Sequence, residues 1–249
     1  MTEQMMDILA RARQGQIAMT DKGGLNGENW QVAGVPLGDG KFRLYQDQNC
    51  KLKFGENSIE IDIPQFSTSH NQVQIFDNPK QLFLTRGTHR PGSAGIVAFG
   101  CRLQGEIIKG DPNDYRDGFC AFNVLDFGTG MVFDMVTNGH NIWVIYERLL
   151  IPGLTGEKEA FTQVIPIDRR TNPHDFLNCV IAYNRANDEA YYYVDGQSVF
   201  TAQNIPVKID SLVTGFGIIT LHPIQNGTST SCKGQGGKGT WSDFRVFQV

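Results

Sequence analysis

Short apolar runs that alternate with polar residues recur along the whole chain. Residues 58–63 read Ser-Ile-Glu-Ile-Asp-Ile, and residues 96–108 alternate in the same way. A period of two places every second side chain on one face of a β-strand. We count roughly twelve or more such runs, with turn residues at the spacing of about 8–12 residues that is typical of a β-sandwich or barrel. The pattern therefore predicts an all-β protein.

The clearest pair of strands lies in residues 130–150. Two runs rich in Val, Ile, Phe, Trp and Tyr flank Asn138-Gly139, a dipeptide that favours tight two-residue hairpin turns. A loop of those two residues places Asp134 opposite Trp143. One face of the hairpin is mostly apolar and belongs in a core, whereas the other combines acids, an amide and an indole, which is typical of a ligand-binding surface. That mixed face carries Val132, Asp134, Val136, Asn141, Trp143, Ile145 and Glu147.

A single β-sandwich domain is expected to span residues 1–249, because sandwiches of this length are ordinary. Within it, residues 1–25 are predicted to form an extension of helix and loop, with a short helix at residues 3–13. Residues 86–95 and 223–239 are predicted to be loops that border a groove, and residues 73–76 a strand. Because the strands do not alternate with helices, a parallel α/β fold is not expected.

Net charge and cysteine content indicate which classes of binding partner and which cellular compartment to expect. The formal net charge is −4 and the pI about 5.7, which gives no electrostatic footprint for nucleic acid or an anionic membrane. The N-terminus lacks the basic start of a secretory signal, and no apolar run is long enough to span a bilayer. Five scattered cysteines cannot all pair within one chain, so reduced thiols in a cytoplasm are expected.

Residues 179–199, with Tyr-Val-Asp-Gly at residues 193–196, and the closing run at residues 239–246 together resemble the concanavalin A-like lectins and glucanases. Asp-Gly supplies the positive φ angles of a tight turn, and the flanking aromatic side chains fit between two sheets. This resemblance implies a concanavalin A-like antiparallel β-sandwich of the jelly-roll type.

A closer resemblance covers residues 123–175, through Met-Val-Phe-Asp at residues 131–134 and Tyr-Glu-Arg-Leu at residues 146–149. It is to an uncharacterised bacterial family, common in actinomycetes, that is expected to have the same sandwich. The resemblance implies no activity. It does imply shared motif positions, which are Asp134, Tyr146, Glu147 and Arg148.

Glu60 and Asp62 lie in the run Glu-Ile-Asp-Ile, which resembles part of the catalytic strand of laminarinase-like glucanases. Such enzymes need a further acid to protonate the leaving group. Pro64 and Gln65 follow instead. The preferred interpretation is therefore an exposed polar strand face.

The leading candidate site consists of Asp134, Trp143 and Glu147. With a two-residue loop, Glu147 lies four residues, or ~13 Å, beyond the partner of Asp134, outside the ~5–9.5 Å span of glycosidase carboxyl pairs. As separate groups, the two acids are predicted to transfer protons while Trp143 stacks on a flat ligand. A buried Arg that pairs with Asp134 is an equally open alternative.

Five further side chains extend the candidate site. Tyr146 is predicted as a third catalytic group, although this register turns Tyr146 and Arg148 to the opposite face, and a one-residue register error would exchange the faces. Arg148 is a candidate ligand-binding residue or a buried ion-pair partner. Asn141 and Asn123 are candidate ligand-binding amides. His89 lies in a basic loop and is a candidate for an anionic group, against the plainer interpretation of a solvated loop.

No metal site of histidines or cysteines is expected, because these residues lack ligand spacing. Calcium binding stays open, and no cofactor is expected. The leading hypothesis is a cytoplasmic enzyme of cyclase, isomerase or lyase type that acts on a small organic molecule by acid–base chemistry in a concave groove. The alternative is a non-catalytic carbohydrate-binding protein, and the third is a glycoside hydrolase; the oligomeric state stays open. A buried acid with a raised pKa favours the enzyme, whereas an open groove with exposed aromatics favours the lectin.

Overall fold

The computed structural model describes residues 27–38, 41–71 and 78–248. The predicted extension at residues 1–25, its helix at residues 3–13 and the predicted strand at residues 73–76 lie outside these described residues. The described residues fold as an antiparallel β-sandwich, as the alternation predicted.

The strands range from three to 13 residues in length, and a 3-10 helix lies at Tyr115–Asp117. In chain order they are β1 (Trp30–Val32), β2 (Gly34–Gly38), β3 (Lys41–Leu44), β4 (Lys51–Phe54), β5 (Ser58–Ile63), β6 (Pro79–Thr85), β7 (Ile96–Ile108), β8 (Phe119–Asp126), β9 (Met131–Thr137), β10 (Asn141–Arg148), β11 (Phe161–Arg170), β12 (Leu177–Asn184), β13 (Glu189–Val194), β14 (Gln197–Ala202), β15 (Val213–Ile219) and β16 (Gly236–Gln248).

Two seven-stranded sheets make the sandwich. Sheet I has the order β1-β6-β15-β8-β9-β10-β11, and sheet II has the order β14-β13-β12-β7-β16-β5-β4. Strands β2 and β3 form a separate two-stranded ribbon. All pairings in both sheets are antiparallel.

The main core lies between the inward faces of the two sheets, where large side chains of both sheets are fully buried. Trp241 of β16 reaches across from sheet II and its indole Nε1–H donates to the carbonyl of Ala121 on β8, at 2.9 Å. The Trp241 ring lies 5.9 Å from Phe216 of β15. These contacts tie the middle strands of the two sheets together.

Several strand bounds match the alternation, and β5 and β7 do so at both ends. The predicted loop at residues 223–239 is wrong at its end, because β16 begins at Gly236. A Cβ on Gly236 would lie 2.4 Å from the carbonyl oxygens of Ile63 and Pro64. Glycine is therefore present there because the strand backbones approach closely, rather than because the segment is a loop.

The register of the β9–β10 hairpin differs from the predicted one. Thr137 pairs with Ile142 and Asp134 with Ile145, so the loop has four residues instead of two. The side-chain oxygen of Asn138 accepts from the backbone N–H groups of residues 140 and 141, both at 3.0 Å. Asp134 therefore does not face Trp143, but the two-residue shift is even and keeps every side chain on its predicted face.

Tertiary contacts decide this loop. The amide Nδ2 of Asn138 donates to the carbonyl of Pro112 at 2.9 Å, and Asn138 is buried. Gly139 has a φ of 93° and packs against β7, where a Cβ would lie 2.7 Å from the Gly105 carbonyl oxygen. These contacts with Pro112 and β7 stabilise a four-residue loop in place of the two-residue turn that Asn138-Gly139 favours on its own.

Gly139→Ala is expected to lower the free energy of unfolding by about 1–3 kcal/mol, because it adds both a strained backbone and a clash with backbone atoms. Gly153→Ala is the matched control, since Gly153 has a φ of 80° and no atom within 4 Å of its Cβ position. Urea denaturation measures both. Equal losses in the two variants would show that the loop does not press on β7.

Candidate functional site

The mixed face predicted from the sequence is the outward face of sheet I. Asp134 of β9 lies between Asn123 on β8 and Ile145 on β10, and Gly215 on β15 follows Asn123 in the same row. Their side chains share this face because directly opposed residues in an antiparallel sheet point the same way. The structure therefore brings together the central acid and one of the two predicted amides.

Asp134 is buried, with 5% of its surface exposed, and its Oδ1 has no hydrogen-bond partner. In the described part of the chain, Lys and Arg side chains form no ion pair with it, so the alternative of a buried Arg partner is not found. Burial, and then the nearby charge of Glu147, raise the pKa of Asp134 well above its ordinary value of 3.8. This carboxyl group therefore holds its proton to a higher pH than a solvated one does.

Glu147 lies on the same face, two residues along β10 from the partner of Asp134. The two residues are therefore diagonal neighbours, with backbone positions ~7–8 Å apart, and the predicted separation of four residues is wrong. The charge of Glu147 acts on Asp134 across this distance. Glu147 is partly exposed, and the hydroxyl of Thr162 on β11 donates to its Oε2 at 2.9 Å. Burial raises the pKa of Glu147, against the lowering effect of that hydrogen bond.

The amide of Asn123 gives the site an unused donor. Asn123 is buried, and its Nδ2 has no hydrogen-bond partner. Gly215 makes room beside it, since a Cβ on Gly215 would lie 3.3 Å from that Nδ2. Neither Gly215 nor Thr162 was singled out in the sequence, because their place beside Asn123 and Glu147 depends on strand order in sheet I.

The surroundings of the two acids are apolar. Trp143 and Ile145 are buried on the same face, in a cluster with Val136. The Trp143 ring is 7% exposed and lies 6.1 Å from the ring of Tyr115. Trp143 is therefore packed in an apolar cluster beside the two acids and is not an exposed platform for stacking. Since Glu147 is partly exposed and Asp134 is not, the site has an open end and a closed end.

Tyr146 and Arg148 lie on the opposite side of β10 from the two acids, as the face assignment predicted. The Tyr146 ring stacks on Phe133 at 5.9 Å within the main core, so it is separated from Asp134 by the sheet. Arg148 donates to the Thr129 carbonyl at 3.1 Å and lies 3.7 Å from a carboxylate oxygen of Glu159. Arg148 thus has the ion-pair role that was one of its two interpretations.

Asn141 and His89 are held at other places. The side chain of Asn141 donates to the carbonyl of Pro112 and accepts from Arg170, which pins the hairpin loop. His89 is buried, and the centroid of its ring lies 5.7 Å from that of Phe99 in sheet II. The interpretation of a solvated loop holds for Arg86 and Arg90, which are exposed, and is wrong for His89, which is buried and forms a β-bridge with Leu212.

Glu60 and Asp62 lie on β5, in sheet II, and not beside Asp134. Glu60 is 3.6 Å from the ammonium nitrogen of Lys238 on the neighbouring strand. Both acids are partly exposed between buried isoleucines, which is the polar strand face that the sequence favoured.

A group with the spacing of metal ligands, which the sequence did not indicate, lies where two loops meet. Ligand atoms of Asp114, Asp117 and His222 lie within 4.8 Å of one another. The ammonium of Lys233 lies 3.4 Å from Asp117 Oδ1 and 2.9 Å from His222 Nε2. This lysine already supplies a positive charge to the cluster, so the donor set does not favour a metal ion.

Comparison with known proteins places the chain by family and by fold. The model of a family described as "Family of unknown function (DUF6081)" matches residues 18–249. No curated protein matches the sequence. In the described residues, no helix combines the length and hydropathy needed to cross a bilayer.

Solved structures of glucanases share the fold. The crystal structure of an endo-1,3-β-glucanase from Streptomyces sioyaensis is 14% identical, with a TM-score of 0.56 over 91% of this chain and 92% of that chain. The laminarinase catalytic domain from Thermotoga maritima MSB8 is 15% identical, with a TM-score of 0.53 over 93% and 96%. The predicted concanavalin A-like jelly-roll sandwich is thereby confirmed, and these low identities speak to the fold alone.

Proposed function

The chain belongs to DUF6081, a family of unknown function, and from the chemistry of its Asp134 site we propose that it is an enzyme that acts on a small organic molecule by acid–base chemistry, without a cofactor. One observation carries this proposal: a buried, unpaired carboxyl group with a strongly raised pKa lies beside a second acid on an apolar sheet face. A lectin has no need of such a group. We also place the enzyme in a reducing compartment, on the odd number of cysteines.

The three polar side chains fit a proton transfer next to a carbonyl group. Glu147, at the open end, is the base that removes a proton from carbon. Asp134 is the acid that gives a proton to the carbonyl oxygen, and the amide N–H of Asn123 is a second donor to that oxygen. The product is an enol, which returns as an isomer when a different carbon is protonated, or loses a leaving group. Carbonyl isomerisation, ring closure through an enol and elimination next to a carbonyl group can each begin with this step.

Incubation of the protein with a panel of small cyclic and acyclic ketones in D₂O tests this assignment. We expect deuterium to enter the carbon next to the carbonyl, detected by mass spectrometry, and the rate to fall about 10²–10⁴-fold in Glu147→Gln and Asp134→Asn. Glu60→Gln is the matched control, since it changes a strand acid of the other sheet and leaves the rate unchanged. Exchange that is equal in all four proteins argues against the proposal.

Glycoside hydrolysis is the second candidate, and the corrected hairpin register is what favours it. As diagonal neighbours, Asp134 and Glu147 have backbone positions ~7–8 Å apart instead of the ~13 Å expected from a two-residue loop. Their side chains can therefore bring two carboxyl groups to the ~6.5–9.5 Å spacing of inverting glycosidases. The glucanase neighbours share the fold. Release of product from oligosaccharides by the wild type and not by Glu147→Gln, in the absence of exchange into ketones, is the result that selects this candidate.

A further inference from the structure

A groove lies on the outward face of sheet II, on the opposite side of the sandwich from Asp134. It has a volume of about 470 Å³ and crosses β13, β12, β7 and β16, which is a size typical of sites for small molecules. No local sequence pattern indicates this groove, because its lining residues come from four strands that are distant from one another in the sequence.

Glycine at the middle of this face gives the groove its depth. Gly100 of β7 pairs with Val180 on one side and with Arg245 on the other. A Cβ on Gly100 would meet the Cys179 carbonyl oxygen and a methyl group of Val180 at 3.7 Å, which is ordinary contact. The backbone therefore does not require glycine here, and the missing side chain leaves open space above the sheet.

A β-bulge directs a cation into this space. Ser242 of β16 pairs with Arg102 and Arg245 pairs with Gly100, so two residues of β16 oppose one of β7. Asp243, within the bulge, has a φ of 53°. Bulges of this kind are often found beside binding sites, where they reorient a side chain. Here the bulge places Arg245 on the outward face opposite Gly100.

The groove contains one hydrogen-bond donor that the fold leaves unused. Tyr193 of β13, which pairs with Val180, is 1% exposed, and its hydroxyl oxygen is buried without a hydrogen-bond partner. Burial raises the pKa of Tyr193 to about 12, so the hydroxyl keeps its proton at neutral pH. A buried O–H group without an acceptor is costly, and a ligand atom in the groove would supply that acceptor.

Among the charged side chains that line the groove, Arg245 is the one without an ion-pair partner in the described residues. Asp195 pairs with Arg169, and Asp243 lies 3.5 Å from Arg102. Arg245 is exposed and, within the described residues, has no ion-pair partner. Apolar surface from Ala98 and Phe247 lines the rest of the groove. An anionic group therefore fits one end and a flat apolar body fits the floor.

We propose that this groove is a binding site for a small organic carboxylate with a flat apolar body. Its carboxylate pairs with the guanidinium of Arg245 and accepts from the hydroxyl of Tyr193, while its apolar body lies over Gly100. The site is on the opposite sheet from Asp134 and is independent of the proposed chemistry there. The groove thus has the character of a second ligand site on the same domain.

Calorimetric titration of the full chain with phenylacetate, at millimolar concentration, tests the site. We expect binding of phenylacetate and at least tenfold weaker binding of phenylacetamide, which has the same shape without the charge. Tyr193→Phe and Arg245→Gln are each expected to weaken binding roughly 10- to 100-fold. Gly100→Val fills the groove and is expected to abolish binding, and Asp134→Asn on the other sheet leaves it unchanged.

Thermal melting of the same variants separates binding from folding. Tyr193→Phe and Gly100→Val keep or raise the melting temperature, because one removes an unpaired buried hydroxyl and the other adds a good strand former at an uncrowded position. Failure of phenylacetate to bind overturns the proposal, as does equal binding of phenylacetamide. Loss of binding in Asp134→Asn together with full binding in Gly100→Val places the ligand on sheet I and also overturns it.

Discussion

Asp134→Asn is expected to raise the free energy of unfolding, and the gain is expected to grow with pH. Asp134 carries a pKa well above 3.8 in the folded protein, whereas in the unfolded chain it titrates near its ordinary value. Between these two pKa values the folded state binds more protons than the unfolded state, so stability falls as the pH rises. Each pH unit in this window costs about 1.4 kcal/mol, and asparagine, which does not titrate, avoids that cost.

Urea denaturation at a series of pH values measures this effect. Below the unfolded-state pKa, aspartic acid and asparagine are both neutral, so the wild type and Asp134→Asn should have similar stability. The two curves then diverge up to the folded-state pKa of Asp134 and run parallel above it. Glu147→Gln is the comparison, with a smaller gain because Glu147 is partly exposed. A variant that is less stable than the wild type at every pH would mean that an ionised Asp134 is held by a partner.

The same substitution separates stability from function. If Asp134 is the proton donor of the proposed reaction, Asp134→Asn becomes more stable at neutral pH and loses deuterium exchange. Residues placed for catalysis are commonly costly to the fold. If Asp134→Asn is more stable than the wild type but keeps its rate of deuterium exchange, Asp134 is not the proton donor of the proposed reaction.

Trp241→Ala is expected to cause the largest loss of stability, about 3–5 kcal/mol, because it leaves a cavity at the centre of the sandwich. Trp241 is fully buried, its Nε1–H donates to Ala121, and its ring covers Gly239, where a Cβ would lie 2.5 Å from an indole carbon. For a chain of this length the loss corresponds to a fall in melting temperature of roughly 6–20 °C.

Two further variants divide that loss. Trp241→Phe keeps most of the ring and removes the hydrogen bond between the sheets, so a cost of about 0.5–1.5 kcal/mol is expected. Phe127→Ala is the control, since 55% of Phe127 is exposed, and a change within about ±0.5 kcal/mol is expected. Differential scanning calorimetry measures all three. A loss for Trp241→Ala as small as that for Phe127→Ala would mean that the two sheets do not pack as described.

The sequence predicted local features of the fold well. The alternation in residues 58–63 fixed both the strand and its buried face, since Ile59, Ile61 and Ile63 are fully buried and the residues between them are not. The Asp195-Gly196 turn lies between β13 and β14, where both residues have positive φ. These features are readable because each depends on a few neighbouring residues and the period of the strand.

The candidate site was predicted only in part. The shared face of Asp134 and Glu147 was correct, because parity along a strand survives an even shift in register. The predicted separation of Asp134 and Glu147 along the strands was wrong, because the contacts of Asn138 with Pro112 and of Gly139 with Gly105 lengthen the loop. Those contacts join segments about 30 residues apart in the chain, and no local pattern reports them.

By itself, the sequence determined that this chain is an antiparallel sandwich and which side chains of the central hairpin share a face, because both follow from a two-residue period that is present in every strand. Only the tertiary structure decided that Asp134 is buried without a partner and that Glu147 is its diagonal neighbour. It also placed Tyr193, Gly100 and Arg245 in one row across sheet II. Burial and strand order arise from the packing of distant segments, and the pKa of a carboxyl group depends on that packing more than on its neighbours in the chain.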